Sequence, residues 1–355
     1  MIALGLNDIE PGMVLSKDIM NQNDVVELAE GTVLTGPVIK KLVNRRIDTI
    51  YVEDSAISRK KDFIVKYQRQ LHVTECIFQE IDQTGSVPAK ITEQFVASAL
   101  QPMIRQGGLI DLLYKISGNN PYEYQHAMNV SILSGMMAKW LHYDETATEE
   151  IMMAGLLHDI GKTKLPREIA GKKLTDLNAH EMNVYKEHTT HGYNLLKDNK
   201  QIAANVKQAI LQHHEHTDCT GYPAQLVEDK IHPYAKIIAI MNKYDNTTNP
   251  HEGFTAGTPF SALDEITQKM FSSLDTKISI AFIHNLKESL IGSTVLLSNN
   301  QKGEIAYYSQ DDYKAAPLIR LHESNNILDL NRHTNLKIVA YNPVEKELED
   351  STSAS

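Results

Sequence analysis

A mainly α-helical fold, with a small α+β module at the N-terminus and a short β-rich extension at the C-terminus, is what the sequence predicts. Three observations carry that expectation. Apolar residues recur at three- and four-residue spacing from Lys60 to about Leu113, as in Phe63, Tyr67 and Leu71 and again in Phe95, Ala99 and Met103. Helix-length periodic segments then follow almost without a break from residue 121 to about residue 290. Short β-prone runs separated by turn residues flank this helical centre on both sides.

Before the helical centre, Met13–Leu15, Val25–Leu28 and Thr49–Val52 read as strands parted by Pro11-Gly12, Asn23-Asp24 and Gly31, with a short helix over Pro37–Arg46. Asp82–Pro88 and Gly107-Gly108 interrupt the next stretch. The predicted helices beyond are Tyr124–His142, Thr148–Leu157, Asp176–Lys197, Ala203–His214, Ile231–Tyr244, Ser261–Met270 and Ile278–Leu290. After Gly292, the runs Thr294–Leu297, Glu304–Tyr308 and Leu318–Leu321 read as strands, with Asn299-Asn300 and Gly303 between them. The expected organisation is a small module over 1–54, a helical linker or regulatory region over 55–114, a catalytic domain over 115–290, a β-rich extension over 291–343 and a disordered acidic, Ser-rich tail over 344–355.

The composition narrows the function classes. With 355 residues, 42% hydrophobic and 23% charged, the chain has the make-up of an ordinary globular protein. A formal net charge of -10 argues against DNA or RNA polymers and anionic membranes as partners, because both call for an excess of Lys and Arg. A small anionic ligand needs only a local positive site. The two cysteines, Cys76 and Cys219, suggest no disulfide framework. With no basic, apolar leader and no run of about 20 apolar residues, the expectation is a cytoplasmic protein without a membrane span. No heptad run long enough for a coiled coil is present, and a homodimer through exposed helices stays open.

Fifteen histidines is a high count, and many fall in one stretch. The sharpest feature is His158-Asp159 at the end of the apolar run AGLLHDIGK, where both side chains reach one metal if the helix stops there. Gly161 suits such a stop, as a left-handed helix cap. A lone His-Asp pair is weak, and a lone His126 is more readily a hydrogen-bonded core histidine. In the company of His188 and the adjacent His213-His214, a single site becomes the better reading, with His126, His158, Asp159, His188, His213 and His214 as ligands. Imidazole and carboxylate donors suit Mn, Fe, Zn or Ni, and a carboxylate can bridge two ions. Two ions about 3.5–4 Å apart serve phosphodiester hydrolysis well.

At these residues the sequence resembles the HD-GYP phosphodiesterases, a subgroup of the HD hydrolase superfamily. The motifs are LLHDIGK at 156–162, KEHTTHG at 186–192 and HHEHTDCTGYP at 213–223, within a resemblance covering about residues 115–290. EPGMVLSKDI and EGTVLT in the first 54 residues resemble a module found beside such domains. The resemblance implies a helical HD-superfamily catalytic domain, two divalent metal ions, Fe or Mn, and hydrolysis of cyclic di-GMP or a related cyclic dinucleotide to linear pGpG or GMP by a metal-activated hydroxide. It implies signal transduction through a bacterial second messenger, with signalling proteins as further partners. By position it makes His126, His158, Asp159, His188, His213, His214 and Asn242 the metal ligands, with Asp159 bridging. Lys162 falls at the motif lysine and is expected to stabilise phosphate charge. Tyr222 is expected against the ligand, Gly221 and Pro223 to set the loop turn, and Asp218 to order that loop.

Several positions depart from the family pattern. Asn242 stands where the family has a metal-binding Asp, in MNKYDNTT, with Asp245 three residues on at the family's second Asp, where a supporting or capping role is expected. NPHEGFTAG, containing His251, lacks the family's Arg-rich segment, Cys219 replaces a Gly of the DGxGYP run, and Tyr122 stands where some members have Glu. These departures keep a second function in view: a catalytically degenerate receptor that binds a cyclic dinucleotide or a protein partner without turnover. A hydrolase of ordinary nucleotides is a third reading, disfavoured by the GYP segment.

Overall fold

In the N-terminal segment, short extended runs pair antiparallel wherever turn residues permit. Strands β1 (Ile2–Gly5), β2 (Ile19–Met20), β3 (Val26–Leu28) and β4 (Thr49–Val52) form two ladders, β1 with β4 and β2 with β3. Leu15, Leu34, Leu42, Ile50 and Val52 make a core of their own. The expected strand Met13–Leu15 is instead two isolated bridges, Val14 to Val33 and Leu15 to Val52, because it touches a different partner at each residue. This computed structural model describes residues 2–5, 13–20, 26–35, 38–39, 41–42, 49–52, 55–106, 108–116, 121–172, 174–249, 256–309 and 312–342. The expected tail over 344–355 and His251 lie outside the described residues, as does part of the expected helix Pro37–Arg46, whose described residues are helical.

The chain divides into two compact units, Met1–Arg69 and Gln70–Ser355, and helix α1 (Ser55–Thr84) runs from the first into the second. Within the second unit come α2 (Ala89–Phe95), α3 (Leu109–Ile116), α4 (Tyr122–Trp140), α5 (Glu145–Leu157), α6 (Arg167–Ala170), α7 (Ala179–Lys186), α8 (His188–Leu196), α9 (Ala204–Gln212), α10 (Pro233–Thr248), α11 (Pro259–Lys269) and α12 (Thr276–Leu290). The breaks before and after this unit's first helices fall at Gly85 and Gly108, both at φ +67, a conformation that costs a residue with a Cβ about 1–2 kcal/mol.

Helix α4 is the centre of the unit, buried on every side from Gln125 to Ala138, so its sequence carries little polar-face signal. It packs against α5 and α10, and Ser131 donates its hydroxyl to the Met152 carbonyl at 2.8 Å to join the first two. Each fully buried side chain on these helices, Met128, Ile132, Leu133 or Met152 for example, contributes about 1.5–3 kcal/mol of transfer free energy. Caps fix the helix starts: Asp144 accepts from the Ala147 amide, and Asn178 with Glu181 forms a reciprocal capping box.

The single helix expected over Asp176–Lys197 is two, since the Asn178 cap delays the start and the chain turns at Glu187 between α7 and α8. The C-terminal extension is a five-stranded antiparallel sheet of order β8-β7-β6-β5-β9, built from β5 (Thr294–Leu297), β6 (Lys302–Tyr307), β7 (Leu318–Leu321), β8 (Ile327–Asp329) and β9 (Ile338–Tyr341). The buried Lys287 on α12 fastens the approach to β7, its ammonium donating to the Tyr313 and Ala315 carbonyls at 2.7 and 2.8 Å.

Gly161 has a different reason from the left-handed cap expected of it. Its φ is not positive; it lies in a 3-10 turn over Ile160–Lys164, pressed against the start of α8, where a Cβ would collide with the His188 carbonyl and the Gly192 amide. A Gly161→Ala protein is expected to lose about 3 kcal/mol, the upper end for overpacking, because the obstacle is backbone that cannot rotate away. Thermal unfolding checks this, and an unchanged melting temperature would mean that the approach of the two segments is looser than described.

Candidate metal centre

Three helices end at one place, and a histidine follows each end within two residues. α5 stops at Leu157 before His158, α7 at Lys186, two residues before His188, which opens α8, and α9 at Gln212 before His213. The last carbonyls of a helix have no amide partner within it. Here each is taken by the ring of the following histidine: Nδ1 of His158 lies 2.8 Å from the Gly155 oxygen, Nδ1 of His188 2.7 Å from Tyr185, and Nδ1 of His213 2.7 Å from Ile210. A carbonyl oxygen only accepts, so each Nδ1 carries the proton and each Nε2 presents a lone pair to the common space.

Asp159 occupies that space. One carboxylate oxygen, Oδ1, lies 3.4 Å from His188 Nε2 and 3.8 Å from His213 Nε2; the other, Oδ2, lies 3.3 Å from His158 Nε2 and 3.7 Å from His126 Nε2. The donors thus form two clusters that share this residue: Asp159 with His188, His213 and His214, and Asp159 with His126 and His158. His126 is turned differently from the others. Its Nδ1 meets Asp245 Oδ2 at 2.7 Å, while Asn129 donates to Asp245 Oδ1 at 2.8 Å. The supporting role expected of Asp245 therefore corresponds to an orienting carboxylate behind a ligand histidine.

Divalent ions fit these donors. Nε2 of His158 and Oδ1 of Asp159 are buried without a hydrogen-bond partner among the described residues. The Nε2 atoms of His188 and His213, both lone pairs, face each other at 3.4 Å, an arrangement that a cation relieves. Burial lowers the pKa of His126, His213 and His214 and takes His188 down to about 4, so these rings need shed no proton to ligate near neutrality. For Asp159, burial alone would raise the pKa, but His158 and the Lys162 ammonium outweigh it and hold the carboxyl well below its usual range. Lys162 Nζ sits 2.6 Å from Asp159 Oδ2 and lies over the Tyr185 ring.

The remaining expected site residues lie in the GYP loop and, for Asn242, on α10. Tyr222 stacks on His214, with ring centroids 4.6 Å apart. Gly221 packs so closely on the backbone of 214–216 that any Cβ would clash, and the Tyr222–Pro223 peptide is cis. Asp218 is exposed and accepts from the Thr220 amide and hydroxyl, which orders the loop. Cys219 holds φ +62, so the left-handed backbone that favours Gly persists at this position with a thiol on it. Asn242 Oδ1 accepts from Asn246 at 2.5 Å, Asn246 accepts from the Tyr122 hydroxyl at 2.5 Å, and Tyr122 stacks on His126.

Glu215 escaped the sequence reading. It is buried and accepts from the Ala224 and Leu226 amides at 2.6 and 2.9 Å, clamping the far side of the GYP loop. Its signal was a carboxylate locked between histidines in HHEH, which a metal reading absorbs too easily.

Residues 111–278 match the family model described as HD domain. Over 208 residues the chain is 29% identical to a cyclic di-GMP phosphodiesterase of Pseudomonas aeruginosa, covering 57% of this chain and 49% of that protein. It is 33% identical over 139 residues to a cyclic di-GMP phosphodiesterase of Thermotoga maritima, covering 39% of this chain and 38% of the relative. The chain thus spans half or less of the length of these relatives. Its structure is similar to that of Bd1817, described as an HDG"Y"P protein from Bdellovibrio bacteriovorus, with a TM-score of 0.52, 15% identity, and 79% and 97% of the two chains covered; that likeness bears on the fold alone. Residues 111–278 are thus similar to the HD-domain family, and the three motifs in this stretch resemble those of the HD-GYP kind. No helix among the described residues is long and apolar enough to cross a membrane.

The Asp245 contact yields a direct test. An Asp245→Asn side chain can turn an NH2 toward His126 and reverse its tautomer, so affinity for Mn at the His126 cluster is expected to fall about 10–100-fold. Calorimetric metal titration reads this, and an unaltered isotherm would remove Asp245 from the centre.

Proposed function

We propose that this protein is a metal-dependent phosphodiesterase that hydrolyses a cyclic dinucleotide, cyclic di-GMP by its likeness to named relatives, to linear pGpG or GMP. The observation that carries the reading is the single carboxylate of Asp159 shared by two imidazole clusters and backed by Lys162. His126, His158, Asp159, His188, His213 and His214 would hold two divalent ions, Fe or Mn, which supply Lewis acidity toward the phosphate oxygens and the attacking water.

The chain's own groups do the rest. Water attacks phosphorus in line with the 3′ oxygen, the P–O3′ bond breaks, and the 3′ oxygen leaves as a hydroxyl. Lys162 supplies positive charge as negative charge builds on the phosphate. Tyr222, fixed against His214 in the loop that the Glu215 clamp holds, borders the space the dinucleotide would enter.

The two metal positions are unequal. The Asp159–His188–His213–His214 cluster has three imidazoles, whereas the His126–His158 cluster has two and shares its carboxylate oxygen with the Lys162 ammonium. On the face of His126 covered by Tyr122, the groups Tyr122, Asn246 and Asn242 form a neutral hydrogen-bonded chain and add no charge. One ion is expected to bind more than about ten-fold tighter than the other, and Asn242→Asp to narrow that gap by supplying a carboxylate. Two equal binding steps in the wild type would contradict this inequality.

The receptor reading draws on the same neutral Asn242. Protein purified without oxygen and reconstituted with Fe or Mn decides between them through product chromatography with cyclic di-GMP. The expected result is turnover that falls roughly 100-fold or more in His158→Ala. Metal-loaded protein that binds the dinucleotide yet releases no product would establish the receptor instead.

A further inference from the structure

A cyclic dinucleotide carries two phosphodiesters, and only one can lie at the reacting position. The second needs its own positive partner, yet the chain has a net charge of -10 and the Lys162 ammonium is already paired with Asp159 at 2.6 Å. A further cation stands at the rim. Lys186, the last residue of α7, lies half-buried with its Nζ 5.4 Å from the centre of the Tyr222 ring. That ring is itself stacked on His214, a member of the donor cluster. Tyr185, beside Lys186 in sequence, packs against His188 on one side and carries Lys162 on the other. The two lysines therefore sit on two aromatic rings at the edge of one centre, Lys162 joined to the shared carboxylate and Lys186 within 4 Å of no carboxylate among the described residues.

We propose that Lys186 is a specificity-determining residue that holds the second, non-reacting phosphate of a cyclic dinucleotide, while the first lies at the centre beside Lys162. This rests on the phosphodiesterase reading above and adds the source of its preference for two phosphates over one. The Tyr222 ring keeps the Lys186 stem in place, so less side-chain freedom is lost when the ammonium meets the phosphate. A charge-assisted contact of this kind supports about a ten-fold effect on binding.

The test compares two substrates on Mn-reconstituted full-length protein: cyclic di-GMP, with two phosphodiesters, and bis(p-nitrophenyl) phosphate, with one. Lys186→Ala is expected to raise KM for cyclic di-GMP about ten-fold with kcat nearly unchanged, to leave the one-phosphate substrate unaffected, and to be rescued by Lys186→Arg. Equal effects on both substrates, or none on either, would overturn the role of Lys186 while the phosphodiesterase reading stands. Wild-type protein that hydrolyses neither substrate overturns both.

Discussion

Helix ends leave carbonyl oxygens without amide partners, and in this protein three such ends are closed by the rings of His158, His188 and His213. The bond does two things at once. It satisfies a buried acceptor, whose loss would cost about 1–3 kcal/mol, and it sets the tautomer that turns a lone pair on Nε2 inward. The C-termini of α5 and α9 also bring their partial negative charge to the same place, which favours a cation there. The site is thus prepared by backbone geometry before any ligand arrives, and Gly161 is the residue that lets α8 come close enough to complete it.

Asp159 is the point where this preparation is shared out. A carboxylate buried among imidazoles is costly unless positive charge stands beside it, and the Lys162 ammonium, 2.6 Å from Oδ2, helps to keep it ionised. Each of its oxygens faces a different set of nitrogens, so one side chain ties two clusters together. The supports behind it are arranged asymmetrically. Asp245 and Asn129 brace His126 from α10 and α4, whereas the GYP loop and its Glu215 clamp brace the His214 side. Stability and site geometry consequently draw on the same few contacts.

Much of this was legible in the sequence, and the parts that were not have identifiable causes. The candidate ligands stood out because His158-Asp159 and His213-His214 are adjacent pairs that follow the ends of helices, with His126 and His188 in the same helical stretch. Strands β5 and β7 were read to the residue because they combine β-branched residues with clear turn neighbours, while β8 and β9 were missed: Ile327 and Val339 are about half exposed, at 53% and 52%, so neither strand shows a clear buried face. Gly161 was assigned to a helix cap because local sequence cannot reveal that another helix presses on it. Asp245 was seen as a supporting carboxylate, but its partner His126 lies 119 residues away, a pairing set only by the packing of α4 against α10. Glu215 was hidden for a similar reason, since the amides that it holds belong to a loop whose path no periodicity reports.

The central claim is that Asp159 joins two metal positions. Crystals of Mn-loaded protein, measured on both sides of the Mn absorption edge, test it most directly. Two anomalous peaks about 3.5–4 Å apart, one at each oxygen of Asp159, are the predicted result. Peaks that leave Asp159 uncoordinated, or a single peak at saturating Mn, would contradict the account.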